Sequence, residues 1–181
     1  MNALIFIIKA VAHLYVFVLL LRFWLPVVRA DFRNPIAQAV LKLSSPLIIP
    51  LRRVLPPIGR LDTATIIVTF AVEYLLVLVV FTLRNYNLDV AVIAVTALVQ
   101  LLVLSLQLFT FAILIKVIMS WIAPHTYNPA TALISSLVEP LLRPFRSLIP
   151  GLGGFDISPM IVIILLQATV ILISDFWPIT F

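Results

Sequence analysis

The chain has 181 residues, 64% of them hydrophobic and only 10% charged, with a mean hydropathy of +1.25. A water-soluble domain carries roughly 25% charged residues, so this composition excludes a surface covered by polar groups and makes lipid the natural solvent on most sides. The absence of cysteine excludes disulfides, thiol nucleophiles, iron–sulfur clusters and covalent c-type haem attachment; the net charge of +5, set between apolar segments, points to anionic lipid headgroups rather than directly to nucleic acid.

The first element is an apolar run, Leu4–Val28, long enough to cross about 30 Å of hydrocarbon as a helix. Its start, Met1-Asn2-Ala3-Leu4, has no basic stretch. It ends in Arg22-Phe23-Trp24 with no small-residue cleavage site, so it reads as a retained anchor rather than a secretory signal. A basic, proline-punctuated connector follows. Asn34-Pro35 is a helix-start signal, with Asn capping free N–H groups and Pro suited to the first turn. Ile36, Ala39, Val40, Leu43 and Leu47 then share one helical face opposite Gln38, Lys42 and Ser45, the spacing of a helix lying in the membrane interface. Pro46 predicts a break and a restart, after which Ile48, Leu51 and Leu55 oppose Arg52 and Arg53, on a piece that Pro50 keeps short or kinked. Gly59 permits a tight return, and Asp62 stands where an N-cap belongs, ahead of a second span, Thr63–Leu83.

The third apolar run, Val92–Ile122, is too long for one upright helix and must tilt or begin outside the hydrocarbon. The second connector opens on Asn128-Pro129 and sets Ala130, Leu133, Ile134, Leu137 and Leu141 against Thr131, Ser135 and Ser136. Pro140 predicts the same break, followed by Leu141, Phe145 and Leu148 on one side and Arg143, Arg146 and Ser147 on the other. Gly151–Gly154 reads as a turn, Asp156 as a cap, and Ile157–Phe176 as the fourth span.

The second connector repeats the first. Asn34-Pro35, Pro46-Leu47, Pro50, Arg52, Pro56, Gly59 and Asp62 return as Asn128-Pro129, Pro140-Leu141, Pro144, Arg146, Pro150, Gly153 and Asp156, each 94 residues on, as Asn128 is from Asn34. The register also pairs Arg22 with Lys116. The chain is therefore an internal duplication, with residues 1–87 as one copy and 88–181 as the other. Each copy holds two spans, an even number, so the copies enter the membrane in the same direction and their connectors share one face. Ten of the twelve Lys and Arg lie in or beside the connectors, all but Lys9 and Arg84, which predicts cytoplasmic connectors and outward-facing termini. Arg22 and Lys116 read as snorkelling anchors near the inner ends of spans one and three, and Trp24, Trp121 and Trp177 as interfacial belt residues. The expected fold is an all-α membrane protein of four transmembrane helices, in two parallel tandem repeats, each with an amphipathic proline-rich helical hairpin between its spans.

Two sets of residues are candidates for function. Lys42, Arg52, Arg53, Arg143 and Arg146 form the basic face of the connectors, either a plain anchor or a platform for anionic lipids and partner proteins. At depth, Glu73 and His13 stand near one level, with Gln167 and Gln107 at the corresponding places of the second copy. They could form interhelical hydrogen bonds or a proton or ion path. Conduction through so few helices would imply an oligomer. The histidines His13 and His125 fall at different depths and cannot jointly hold a haem or metal. No Ser-His-Asp, HExxH, Walker or dinucleotide motif is present, so no catalytic residue, cofactor or metal site is expected.

The pattern N-P…P-L-x-x-P-L-R-R-x-x-P-x-x-G-x-x-D, here Asn34 to Asp62 and again in altered form to Asp156, resembles the YggT (YlmG) family of small bacterial membrane proteins. The resemblance covers essentially the whole chain, and the two-copy form and the first span's Leu19-Leu20-Leu21-Arg22 resemble the gammaproteobacterial type. The second copy departs where Ser147 replaces Arg53 and Gly154 replaces Arg60, so its connector need not do the same job. The resemblance implies an inner-membrane protein tied to cell-envelope upkeep, division-site or chromosome distribution, or osmotic tolerance, with plastid relatives in cytochrome assembly or nucleoid organisation. It carries over no active-site residue. The expectation is thus a non-enzymatic membrane adaptor or assembly factor. The alternative is an oligomeric channel or transport component using Glu73 and His13, and a lipid-active enzyme is a distant third.

Overall fold

The structure, a computed structural model, describes residues 2–59, 62–86, 89–122, 128–148 and 156–177. Arg60, His125, Pro150 and Gly151–Gly154, named above, lie outside the described residues. Six helices occupy the rest: α1 (Asn2–Val27), α2 (Pro35–Arg52), α3 (Thr63–Leu83), α4 (Val90–Ile122), α5 (Pro129–Leu148) and α6 (Ser158–Phe176). No strand occurs among the described residues. Helices α1, α3, α4 and α6 are long and apolar enough to cross a membrane, and their bounds fall within a few residues of the four runs read from sequence.

Helix α3 packs on both α1 and α4; α6 packs chiefly on α4 and on α5. In lipid the apolar side chains of a span gain little from leaving one hydrocarbon surroundings for another, so close packing and polar contacts hold such helices together. Ile5 meets Leu76 and Val80, Leu19 meets Ala64 and Val68, and Val77 and Phe81 meet Ile93 and Ala97. Trp24 stands edge-on to Phe109 of α4, ring centroids 4.9 Å apart, and is half-buried.

The turn out of α1 is tight. Arg29 adopts a left-handed φ of 58°, a conformation costing a non-glycine residue roughly 1 kcal/mol or more. The Ala30 N–H then closes on the Leu25 carbonyl at 2.9 Å, ending the helix and sending the chain back toward the spans. Helix α2 starts on Asn34, whose side chain accepts the Ile36 N–H; α5 starts on Asn128, whose Oδ1 accepts the Thr131 N–H at 2.9 Å.

Each connector differs from expectation in its continuity. Both are single continuous helices: α2 runs through Pro46 and Pro50, and α5 through Pro140 and Pro144, where a two-piece hairpin was expected. Proline at 46 removes only the N–H that would meet the Lys42 carbonyl. Pro46 and Lys42 are both exposed, so the freed oxygen belongs to the side of α2 turned away from the spans. Ala37, Val40, Ser44 and Ile48 face the protein: Ala37 and Val40 share a core with Leu133, Leu137, Val138 and Leu142 of α5 and with Leu25, Ile113 and Val162, while Ile48 packs with Leu19, Ala64 and Val68. Ile36, Leu43 and Leu47, expected on the apolar face of a helix lying in the interface, are exposed. Helix α2 is thus apolar on two adjacent sides, one packed on the protein and one exposed.

Candidate functional site

Where each connector meets its spans, the structure assembles a charged cluster from the same positions of the two copies. In the first, Arg22 turns inward from α1 and is 4% exposed. Its Nη1 donates to Ser44 Oγ at 2.9 Å and to the Leu41 carbonyl at 3.2 Å, and its Nη2 lies 3.8 Å from Asp62. Arg52 reaches the same carboxylate at 3.1 Å. Arg22 is thus no snorkelling anchor: a guanidinium carries five donors in a rigid fork, and serines on the inward face of α2 offer it acceptors nearer than any headgroup. Asp62 precedes α3 at the N-cap position, yet its side chain makes no capping bond there and pairs with the arginines.

In the second copy, Lys116 Nζ donates to Glu139 Oε2 at 2.7 Å, Arg146 pairs with Glu139 Oε1, and Arg146 Nε donates to Asp156 Oδ2 at 2.6 Å. Asp156 also accepts the Ser158 N–H at 3.0 Å, capping α6. Partial burial pushes the Glu139 carboxyl up, but the hydrogen bond from Lys116 and the charges of Lys116 and Arg146 outweigh it and hold the group below its ordinary value. Asp156 is likewise pushed up by desolvation and brought below its ordinary value by its bonds to Arg146 and Ser158. The reading of the sequence missed Glu139. The signal was an acid in an otherwise basic connector, at the place where the first copy has Ser45 and one residue before Pro140.

Of the five basic residues expected to face lipid or partners, Arg52 and Arg146 are therefore engaged within the chain. Lys42, Arg53 and Arg143 are exposed and form no ion pair among the described residues. The connectors also touch each other: Asn34 Nδ2 donates to the Pro129 carbonyl at 2.6 Å. Beside that bond lies a cleft of about 460 Å³ between the starts of α2 and α5, flanked by Arg29, Arg33, Asp31 and Asn128.

The polar layer is only partly assembled. His13 Nε2 lies 3.7 Å from Glu73 Oε1 across the α1–α3 contact; Glu73 is fully buried, and neither carboxylate oxygen has a hydrogen-bond partner among the described residues. Lys9, one turn from His13, lies within electrostatic range of Glu73 and Arg84. Gln107 is half-buried, and Gln167 points outward on the exposed side of α6. The buried glutamine of α4 is Gln100. With Val16 and Leu20 clustered on Leu104, and Trp24 on Phe109, α1 lies against α4 in a register that sets His13 nearer the level of Gln100 than of Gln107. Trp177 donates from Nε1 to Thr96 Oγ1 at 3.1 Å, bonding inward from the edge where it was expected to sit as a belt residue. No group of three or more metal-ligating acids or histidines occurs among the described residues.

Comparison with known proteins agrees with the architecture. The family described as CCB3/YggT matches residues 1–83 and again 95–176, two matches whose starts are one repeat apart. An uncharacterized protein of Pseudomonas aeruginosa is 37% identical over 168 residues, 92% of this chain and 85% of that protein. The uncharacterized protein YggT of Escherichia coli K12 is 38% identical over 166 residues, 92% of this chain and 86% of that protein. The uncharacterized protein ycf19 of Guillardia theta is 34% identical over 71 residues, 39% of this chain but 78% of its own length, so it has about the size of one repeat. No solved structure matches the chain significantly.

Proposed function

The chain belongs to the CCB3/YggT family, and from that footing we propose that it is a non-enzymatic adaptor of the bacterial inner membrane that holds or assembles other membrane proteins. In this reading the two repeats run parallel, the connectors lie on the cytoplasmic leaflet, the termini are periplasmic, and anionic headgroups and membrane proteins are the partners. The observation that carries it is the division of labour among the basic residues. Arg22, Arg52, Lys116 and Arg146 clasp the connectors to the spans, while Lys42, Arg53 and Arg143 stay exposed on helices that touch each other. A rigid basic surface of that kind suits docking and contributes about 1 kcal/mol per near-surface cation toward anionic lipid. The exposed stripe of Ile36, Leu43 and Leu47 supports seating of α2 in the interface. A second reading, an oligomeric channel or transport component, is favoured by the buried Glu73 beside His13.

One experiment separates them. Photo-crosslinkers at the exposed Ile49 and Ser147, each four residues from Arg53 or Arg143, are expected to trap a reproducible membrane-protein partner in native membranes, lost when Lys42, Arg53 and Arg143 are changed together to Gln, while Glu73→Gln leaves crosslinking and complementation of a deletion intact. Ion flux in liposomes that Glu73→Gln abolishes, with no trapped partner, would replace the adaptor by the channel.

A further inference from the structure

The two charged clusters occupy equivalent positions but are not equally closed. In the first copy Arg22, Leu19, Ile48, Thr65 and Asp62 are all buried, and the guanidinium fills the space between α1, α2 and α3. In the second, Lys116 replaces Arg22 and Glu139 replaces Ser45. The thinner lysine is drawn to Glu139 and forms no ion pair with Asp156 among the described residues. The volume that the guanidinium fills in the first copy is open in the second. A cavity of about 320 Å³ lies there, bordered by Lys116, Arg146, Asp156, Trp121, Val117 and Leu142, within the roughly 300–1,000 Å³ of ligand pockets.

We propose that this cavity seats the headgroup of an amine-bearing phospholipid, its phosphate against Lys116 and Arg146 and its ammonium against Asp156 and the indole of Trp121. The inference rests on the connectors lying at the bilayer surface. Charge selects the class. Lys116, Arg146 and Asp156 line the cavity, and Glu139, outside the lining, already pairs with both cations, so the cluster is neutral as a whole and a purely anionic headgroup competes with its carboxylates. A headgroup with both signs exchanges partners with the existing pairs and leaves no charge alone in a half-dry site. Indole faces also favour ammonium groups. Val117 and Leu142 give the glycerol and first acyl carbons an apolar wall, which a free phosphoamine would not use. The first copy, already filled, takes none, so the stoichiometry is one per chain.

Native mass spectrometry of the delipidated full chain in detergent tests this, with phosphatidylethanolamine, phosphatidylglycerol and soluble phosphoethanolamine as probes. One phosphatidylethanolamine per chain is expected to be retained, at least tenfold more tightly than phosphatidylglycerol and without displacement by phosphoethanolamine. Lys116→Arg with Glu139→Ser, which copies the first repeat, should abolish retention. Trp121→Ala, at a position 67% exposed, should weaken it severalfold with helix content unchanged. Should the double variant lose its helix content, Trp121→Ala decides. Equal retention of phosphatidylglycerol, competition by soluble phosphoethanolamine, or wild-type retention in a folded variant overturns the proposal. None of these outcomes bears on the crosslinking that tests the adaptor reading.

Discussion

Arg22 and Asp62 show what a membrane arginine does when the protein supplies its counter-charge. Both are under a tenth exposed, so removing one strands the other where solvent cannot compensate. Asp62→Asn should cost about 3 kcal/mol or more. The matching Asp156→Asn, at a carboxylate 41% exposed, should cost no more than about 1 kcal/mol. Unfolding both variants in mixed micelles by denaturing detergent measures the difference, and a larger loss at Asp156 would contradict the burial seen here. Sequence placed Arg22 near the end of a span but could not place Asp62 or Ser44 beside it, because that depends on how α2 folds back. Glu139 escaped notice for the same reason: its partner Lys116 stands on another helix, α4. The nearness of His13 to Glu73 was legible, since each is an ionisable residue at a countable depth in an apolar run. The glutamine at their level was not, because a 94-residue register in sequence is not the register in which α1 lies against α4.

At the scale of the helix, α5 is clasped through Glu139 and Asp156, and this makes its seating sensitive to acid. Glu139 and Asp156 both have folded values below their ordinary ones. Their contribution is complete above the unfolded carboxylate range and is lost as pH falls through the depressed folded values. Acidification below about 4 should therefore loosen α5 from α4 and α6. The chain has no cysteine, so a spin-label pair at Ser120→Cys on α4 and Ser147→Cys on α5 reports on this directly. The expected result is a narrow distance distribution at neutral pH that broadens reversibly at pH 3; an unchanged distribution would remove the clasp from the account. The helix itself was legible from its Asn-Pro start and apolar spacing. Its continuity through Pro46 and Pro140 was not, because a proline's cost depends on whether the freed carbonyl can reach water or a headgroup, which sequence does not state.

For the whole molecule, the duplication and the spans were legible because prolines, charges and hydropathy repeat in one register. The family match beginning at residue 1 and again at 95 has the same spacing. Lateral order was not legible: four apolar helices look alike from every side, and only packing decides that α4 touches α3 and α6 together. If the repeats run parallel, Lys42→Cys and Ser136→Cys are labelled by a membrane-impermeant maleimide from the same side of the bilayer, and labelling from opposite sides would dismantle the topology. The neighbours α4 and α6 are also the longest and shortest of the four, 33 and 19 residues, or about 50 and 28 Å at about 1.5 Å per residue. No single hydrocarbon thickness suits both standing upright. Helix α6 buries only Ser158, Pro159 and Val162 among its described residues, all at the end beside Asp156. Its far end has no buried residue among those described and is tied to α4 through Trp177 and Thr96, so a change in bilayer thickness that tilts α6 about its Ser158 end should strain that bond first.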